Sequence, residues 1–259
     1  MPEGDAVWRT AGRLRAALDD QELTRSDFRV PRFATADLRG RRVLTTVSRG
    51  KHLLTRVEGG VTLHTHLRMD GRWRITRTGA PVRGGDVVRV VLANTVWQAT
   101  GVKLGVVGLL PTSREDEVVG HLGPDLLGVD WDAGRAAANL AGDPDRTIGE
   151  ALLDQRNLAG IGTIWRAETL FVAGVWPWRR AEDVADAVGL TETAHRLMNE
   201  GKDERGPVTT GDPRPGRELF VYGREHRPCR VCGSSIERGE MGSQPQERLI
   251  YWCPRCQRG

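Results

Sequence analysis

Residues 43–75, VLTTVSRGKHLLTRVEGGVTLHTHLRMDGRWRI, decide the fold of the first half of the chain. Short segments rich in valine, threonine and leucine alternate here with Arg-Gly, Glu-Gly-Gly and Asp-Gly turns. Segments punctuated in this way are typical of antiparallel strands that form a sandwich or a barrel. Residues 86–92, DVVRVVL, have the same texture. We therefore predict a β-rich N-terminal domain.

Helical patterns lie on both sides of the predicted strands. Residues 3–19 carry apolar side chains at helical spacing, and the chain from Ser113 onward is rich in alanine, leucine and acidic residues. Residues 202–216, KDERGPVTTGDPRPG, have the composition of a linker. The predicted fold class is a multidomain α+β protein. It comprises a β-sandwich with a flanking helix, a helical domain and a small C-terminal module, at residues 1–115, 116–210 and 211–259.

The charge of the 259-residue chain is unevenly distributed. The formal net charge is only +4, but residues 41–89 hold eleven basic and three acidic residues, whereas residues 101–210 hold eleven basic and eighteen acidic ones. A basic N-terminal section indicates either a face that binds a polyanion or a solvated strand surface. No apolar run approaches the ~18–20 residues of a spanning helix, and the N-terminus lacks a secretory signal. We expect a cytoplasmic protein with no membrane partner.

All four cysteines lie near the C-terminus. They form two C-x-x-C pairs separated by twenty residues: Cys229, Cys232, Cys253 and Cys256. Each pair can place two thiolates on one metal ion, and two pairs complete a closed tetrahedral site. Disulfides are the poorer explanation in a cytosolic chain. The spacing predicts a zinc ribbon with one structural Zn²⁺, and nothing indicates an organic cofactor.

Three further residues are candidates for chemistry, and each has an ordinary alternative. Removal of Met1 would expose the secondary amine of Pro2 next to the carboxylate of Glu3, and a neutral amine can attack a carbonyl-type carbon. The alternative is a mere chain start. Lys51, in a turn, is otherwise a solvated lysine, and Arg248, in the predicted strand QERLIYWC, is otherwise a surface arginine.

A series of motifs then occurs in one order along the chain: MPEGD (1–5), SRGKHLL (48–54), HLRMDG (66–71), LLDQRNLAGIG (152–162), VYGR (221–224) and CRVCG (229–233). Together they resemble the formamidopyrimidine-DNA glycosylase/endonuclease VIII family over essentially the whole chain. The PEGD start is most similar to the endonuclease VIII-like proteins of actinobacteria. The resemblance implies a bifunctional base-excision repair enzyme, a DNA glycosylase with abasic-site lyase activity, that extrudes the damaged nucleotide from the duplex.

The resemblance also implies roles for individual residues. Pro2 would be the nucleophile at C1′ of the sugar and form a Schiff base, and Glu3 would handle the protons of ring opening and base departure. Lys51 would contact the lesion phosphate and assist elimination. Arg248, on the zinc-finger hairpin, would grip the neighbouring phosphates and support δ-elimination, so that a one-nucleotide gap remains.

Two more parts of the DNA interface follow from the same resemblance. Gly160, Gly162 and Thr163 correspond to a helix–two-turn–helix, in which backbone amides at a helix start approach a phosphate. Met69 corresponds to the residue that fills the gap left by the flipped nucleotide, a task suited to an apolar wedge. A glycine turn between packed helices and a half-buried strand methionine are the respective alternatives.

Three departures from the family pattern bear on the substrate. Thr163 stands where asparagine is usual, so the phosphate contact should be weaker or run through the backbone. Residues 94–108 supply no convincing arginine and aromatic for filling the void, and the linker from Thr210 to Val221 is short for a base-capping loop. These features favour oxidised pyrimidines over oxidised purines. Incomplete void filling would also matter less in single-stranded or fork DNA than in a damaged duplex.

Other readings stay open at this level. A catalytically silent protein that binds damaged DNA on the same scaffold is the main one, and a metallohydrolase or an RNA-binding zinc ribbon are others. His64 and His66 would lie on one strand face but lack a nearby carboxylate partner in sequence. All six histidines, His52, His64, His66, His121, His195 and His226, are interpreted as structural or surface residues. We expect a monomer associated with the nucleoid.

Overall fold

The computed structural model describes residues 2–142, 145–243 and 247–259, so that Met1 lies outside the described residues. Contacts divide the chain into two compact units, Met1–His121 and Leu122–Gly259. No helix among the described residues is long and apolar enough to cross a membrane. The helices are α1 Gly4–Leu18, α2 Asp116–Val119, α3 Ala133–Ala141, α4 Ile148–Ala151, α5 Thr163–Val172 and α6 Ala187–Gly201. The strands are β1 Arg25–Phe28, β2 Val43–Arg49, β3 His52–Val57, β4 Val61–His66, β5 Arg72–Arg77, β6 Val88–Ala93, β7 Trp97–Val102, β8 Val106–Pro111, β9 Glu237–Met241 and β10 Arg248–Trp252.

The first unit is a sandwich of two four-stranded antiparallel sheets, which confirms the predicted fold class. One sheet has the strand order β1-β6-β7-β5 and the other has the order β2-β3-β4-β8. Both sheets contribute to one core, in which Leu53 and Leu63 meet Val90 and Leu92. The sequence pattern predicted β2 to β6 but not β1, β7 and β8, which complete the sheets at their edges and centre.

Helix α1 closes this core from one side. Its apolar residues at helical spacing are all buried: Val7, Ala11, Leu14 and Leu18. Burying each of the larger side chains contributes ~1.5–3 kcal/mol relative to leaving it exposed. The start of α1 is thereby fixed against the sandwich, which determines where the N-terminal residues lie.

The second unit joins helices and the cysteine-rich ribbon in a single core. Trp165 and Leu170 of α5 belong to the same buried cluster as Ile250 of β10 and Cys253. β9 and β10 form an antiparallel hairpin, in which Arg248 pairs with Met241. The predicted strand QERLIYWC corresponds to β10, while Gln246 lies outside the described residues. The domain boundaries at 115/116 and 210/211 stay predictions.

Candidate active site and nucleic-acid interface

The N-terminal residues are held at the beginning of α1. Glu3 is the N-cap residue of the helix, and its carbonyl oxygen accepts a hydrogen bond from the Val7 amide at 3.1 Å. The Glu3 side chain is only 3% exposed, although an isolated glutamate is almost always solvated. Pro2, directly before it, is half-buried. The tertiary fold therefore holds a carboxylate in a protected position next to the N-terminal residue.

Lys51 lies in the turn between β2 and β3 and is buried. Only 8% of the residue is exposed, so the alternative of a solvated turn lysine is wrong. Burial lowers the pKa of Lys51 to about 8, and the nearby Glu3 carboxylate opposes this shift. The Glu3 carboxylate thus acts on the Lys51 ammonium electrostatically. Residues 48 positions apart in sequence thus share one site in the first unit.

A cluster of imidazoles lies on the strands that follow Lys51. Nδ1 of His52 and Nε2 of His64 are 2.8 Å apart, and the ring of His52 lies 4.9 Å from that of His66 and 6.3 Å from that of His121. Burial lowers the pKa of His52 to about 3 and the pKa of His66 to about 4, and neighbouring imidazoles and cations reinforce both shifts. The rings of His52 and His66 are therefore neutral at physiological pH.

The turn between β4 and β5 presents Met69 to solvent. Arg68 has a left-handed backbone (φ 54°), and the Gly71 amide donates to the Leu67 carbonyl at 2.9 Å. A Cβ atom on Gly71 would lie 2.2 Å from the Leu67 oxygen, so this tight turn requires glycine. Met69 is 66% exposed, which corrects the alternative of a half-buried strand residue. An exposed apolar tip on a constrained turn is suited to insertion between bases.

The glycine motif of the second unit forms the entry to α5. Gly160 has φ 102°, a conformation that other residues rarely adopt, and its amide donates to the Gln155 side chain at 3.0 Å. Gly162 is the N-cap residue and Thr163 is the first residue of the helix. Gly162 brings no side chain to the helix start, and the positive end of the α5 dipole favours an anion there.

Arg248 begins β10 and is exposed on the hairpin. The hairpin is tied to α5 through Arg166, which is completely buried. The Arg166 guanidinium donates to the Leu249 carbonyl at 2.7 Å and to the Gly149 carbonyl at 3.2 Å. One buried cation therefore links the residue after Arg248 to the helix that begins at Thr163.

Replacing Arg166 with methionine should destabilise the second unit and displace Arg248. The substitution removes the donor from the buried Gly149 carbonyl and from the Leu249 carbonyl, and a buried carbonyl left without a donor costs ~1–3 kcal/mol. We expect a lower melting temperature in thermal unfolding and a larger loss of DNA nicking than the stability change accounts for. Arg156→Met is the matched control, because Arg156 pairs with Asp154 at an exposed position and should cost under ~1 kcal/mol. Equal melting temperatures for the two variants would contradict this account.

The four predicted cysteine ligands come together in the second unit. Their sulfur atoms all lie within 4.8 Å of one another, with Cys229 and Cys256 at 3.9 Å and Cys232 and Cys253 at 3.4 Å. Tetrahedral Zn–S bonds of about 2.3 Å require sulfur atoms roughly 3.8 Å apart. The donor set and its spacing therefore fit a metal ion such as zinc.

Two buried charges of α5 are absent from the sequence prediction. One is Arg166, and the other is Glu168, which is fully buried. The Glu168 carboxylate accepts hydrogen bonds from the amides of residues 220, 221 and 222 and from the Thr209 hydroxyl. Burial raises the pKa of Glu168, and these four hydrogen bonds act against the rise. In the sequence, the only sign of these two residues is that Arg166 and Glu168 interrupt an otherwise mostly apolar helix.

Geometry thus assembles two sets of residues, one in each unit. Pro2, Glu3 and Lys51 lie together in the first unit, with Met69 on a separate turn. The α5 entry, Arg248 and the cysteine cluster lie in the second. The first set combines a buried carboxylate and a buried lysine near the N-terminus, and the second combines a glycine-rich helix start with an exposed arginine on a hairpin.

Comparison with known proteins places the chain within a class of DNA-processing enzyme. Residues 1–104 match the model of the formamidopyrimidine-DNA glycosylase N-terminal domain. "Probable endonuclease 8 2" of Streptomyces coelicolor is 52% identical over 100% of this chain and 95% of its own length. "DNA-(apurinic or apyrimidinic site) lyase Nei2" of Mycolicibacterium smegmatis is 45% identical over 99% of both chains. Lactococcus lactis Fpg (MutM), solved with DNA containing an oxidised pyrimidine, matches with a TM-score of 0.85, 22% identity and full coverage of both chains.

The chain belongs to the formamidopyrimidine-DNA glycosylase/endonuclease 8 family. The predicted family and the predicted enzyme class, a DNA glycosylase with abasic-site lyase activity, are confirmed. The structural match supports the fold alone, because a sequence identity of 22% is too low to carry a function from one protein to the other.

Proposed function

We propose that this protein excises oxidised bases from DNA and cleaves the resulting abasic site through a Schiff base at Pro2. The observation that carries the proposal is the buried Glu3–Lys51 arrangement at the start of α1. The secondary amine of Pro2, freed by removal of Met1, attacks C1′ as the base departs. The resulting iminium withdraws electrons from the sugar, and loss of the C2′ proton then breaks the bond to the 3′ phosphate.

Glu3 is placed for the proton transfers of this sequence. Its carboxylate follows Pro2 directly and is 3% exposed, so that bulk water competes little for its protons. It protonates the ring oxygen as the sugar opens and accepts a proton in later steps. The start of α1 fixes its backbone, which keeps the carboxylate beside the reacting carbon.

Cationic and backbone donors hold the phosphates. Lys51 contacts the phosphate of the lesion, Arg248 grips neighbouring phosphates from the hairpin, and the start of α5 at Gly162 and Thr163 receives a further phosphate, with Gly160 shaping the turn before it. Thr163 replaces the usual asparagine with a shorter hydroxyl, which shifts the contact toward the backbone. The second unit is acidic overall, but these contacts are local and do not depend on its net charge.

The pH dependence of kcat/KM reports the charge of Lys51 in the free enzyme. The lysine is protonated below its pKa of about 8 and loses its charge above it, so nicking of abasic-site DNA should fall as pH rises through 8. Loss of a charge-assisted phosphate contact of ~1.5–3 kcal/mol corresponds to roughly 10–100-fold. Lys51→Arg stays charged throughout this range and should remove the falling limb. A falling limb of unchanged midpoint in Lys51→Arg would assign the titration to another group.

The cysteine cluster holds one structural Zn²⁺ in this proposal. Cys229, Cys232, Cys253 and Cys256 would bind it as thiolates, and the closed ligand set leaves no position for substrate. The ion supplies folding energy to the ribbon. Its function is to fix the β9–β10 hairpin and hence Arg248, and no organic cofactor takes part.

The substrate class we propose is oxidised pyrimidines such as thymine glycol and 5-hydroxycytosine. Among the residues that the structure describes, Met69 is the evident void filler, and the 210–221 segment is short. We expect excision of thymine glycol to exceed that of 8-oxoguanine at least ~10-fold, the discrimination that one or two pocket contacts provide. Single-turnover assays on matched oligonucleotides measure this, with a preformed abasic site as the common control. Faster 8-oxoguanine release would favour an oxidised-purine glycosylase.

The same panel tests the form of the DNA. Excision from single-stranded or fork substrates should equal or exceed that from paired duplex, because fewer wedge contacts are then needed to keep the helix open. Absence of any excision, together with retained affinity for damaged DNA, would instead indicate a silent binding protein on the same scaffold. The protein is taken to act as a monomer near the nucleoid.

A further inference from the structure

The histidine cluster of the first unit has a specific arrangement on the sheet. His64 and His66 are two residues apart on β4, so their side chains leave the same face of the strand. His52 of the antiparallel neighbour β3 is paired directly with His66, so its side chain joins them on that face. Three imidazoles from two adjacent strands thus converge next to Lys51.

The rings of His52, His64 and His66 lie close enough together to share a metal ion once their side chains rotate. The ring centroid of His52 lies 5.0 Å from the ring centroid of His64 and 4.9 Å from that of His66. Zn–N bonds of ~2.0–2.1 Å place the centroids of two ligating rings on the order of 5 Å apart. His121 is exposed, lies 6.3 Å from His52 and can approach as a further ligand. Closing the site requires side-chain rotation and leaves the strands in place.

We propose that His52, His64 and His66 form an inhibitory site for a borderline divalent transition-metal ion such as Zn²⁺ or Ni²⁺. Imidazole nitrogen is a preferred ligand of these ions. Nδ1 of His52 and Nε2 of His64 share a hydrogen bond at 2.8 Å. When the ion binds, this hydrogen bond breaks and both nitrogens turn toward the ion. The site is separate from the four cysteines of the second unit.

His66 supplies the link between the metal and the reaction. Nδ1 of His66 accepts a hydrogen bond from the Arg68 amide at 2.9 Å, which helps fix the turn that carries Met69. A neutral ring in this bond carries its proton on Nε2. Ligation through Nε2 moves that proton to Nδ1, and ligation through Nδ1 uses the same lone pair; either way the Arg68 amide loses its acceptor. The bound ion therefore alters the Met69 turn and adds positive charge beside Lys51.

The inhibitory consequence rests on the proposed function, whereas metal binding does not, so the test measures both. Ni²⁺ is titrated calorimetrically into protein whose cysteines are loaded with Zn²⁺, and nicking of a preformed abasic-site oligonucleotide is followed at each Ni²⁺ concentration. His64→Leu and His52→Asn remove ligands from two strands, with thermal melts to verify folding. His226→Asn is the matched control, because its side chain is 85% exposed and asparagine tolerates its positive φ.

The expected result is one Ni²⁺ beyond the zinc in the wild type and in His226→Asn, with nicking slowed as it binds. Each cluster variant should bind it at least ~10-fold more weakly and resist the inhibition. Absence of additional Ni²⁺ binding in the wild type, or unchanged binding in both folded cluster variants, would overturn the site. Stoichiometric Ni²⁺ without any change in nicking would overturn its inhibitory role. A preparation inactive without Ni²⁺ would count against the proposed function, while the calorimetry would still decide the site.

Discussion

Pro2→Ala should lower base excision by at least ~10²-fold, as expected when a covalent nucleophile is replaced by a poorer one. The primary amine of alanine yields an imine that needs a further proton before it can withdraw electrons, whereas proline yields a permanently cationic iminium. Single-turnover release of thymine glycol measures the loss. Borohydride trapping on abasic-site DNA measures the covalent adduct, which should decrease in parallel.

The control for this variant lies on the same helix. Gly12→Ala in α1 has room for its Cβ, which would lie 3.8 Å from the Arg15 guanidinium, and should leave excision unchanged. Intact mass verifies that Met1 has been removed from every protein compared. Wild-type rates of strand nicking by Pro2→Ala would remove the foundation of the proposed mechanism.

The sequence predicted those parts of the fold that depend on local patterning. The apolar stripe of α1 and the strands from β2 to β6 follow from spacing and turn residues. β1, Arg25–Phe28, is polar along most of its length and is a strand because it pairs with β6. β8, Val106–Pro111, overlaps an apolar run from Leu104 to Leu110 that has no strand-like alternation. In both cases the partner strand, distant in sequence, determines the structure.

Candidate residues could be found from the sequence, but their environments could not. A Gly-Lys turn ordinarily exposes its lysine, and Lys51 is buried because the fold brings it near Glu3 at the start of α1. The His-x-His pattern at His64 and His66 was visible, yet its third member, His52, joins only through the β3–β4 register. Register is a property of two strands and is not readable from either alone.

Buried charges show the same limit in the second unit. Arg166 and Glu168 are spaced like surface residues of α5, and both are completely buried. Their partners lie far along the chain, at Leu249 for Arg166 and at residues 220–222 for Glu168. A charge is tolerated in a core only when hydrogen bonds replace water. That replacement is known only once the tertiary structure is known.

Cys253→Ser should cause the second large effect, loss of the metal and of the hairpin that carries Arg248. Cys253 is fully buried and belongs to the same core cluster as Trp165 and Ile250. Zinc binding in small ribbons contributes on the order of 10 kcal/mol to folding, more than one hairpin can replace. We expect zinc content near zero by elemental analysis, a lower melting temperature of the second unit and severe loss of nicking.

We expect this defect to lie in DNA binding and not in the chemical step, because Pro2, Glu3 and Lys51 belong to the first unit. High concentrations of abasic-site DNA should therefore recover part of the borohydride adduct in Cys253→Ser, whereas they cannot recover it in Pro2→Ala. Val231→Ala, at an exposed position inside the first cysteine pair, is the matched control and should retain zinc and activity. Full nicking by zinc-free Cys253→Ser would show that the hairpin is dispensable, and the role of Arg248 would then have to be given up.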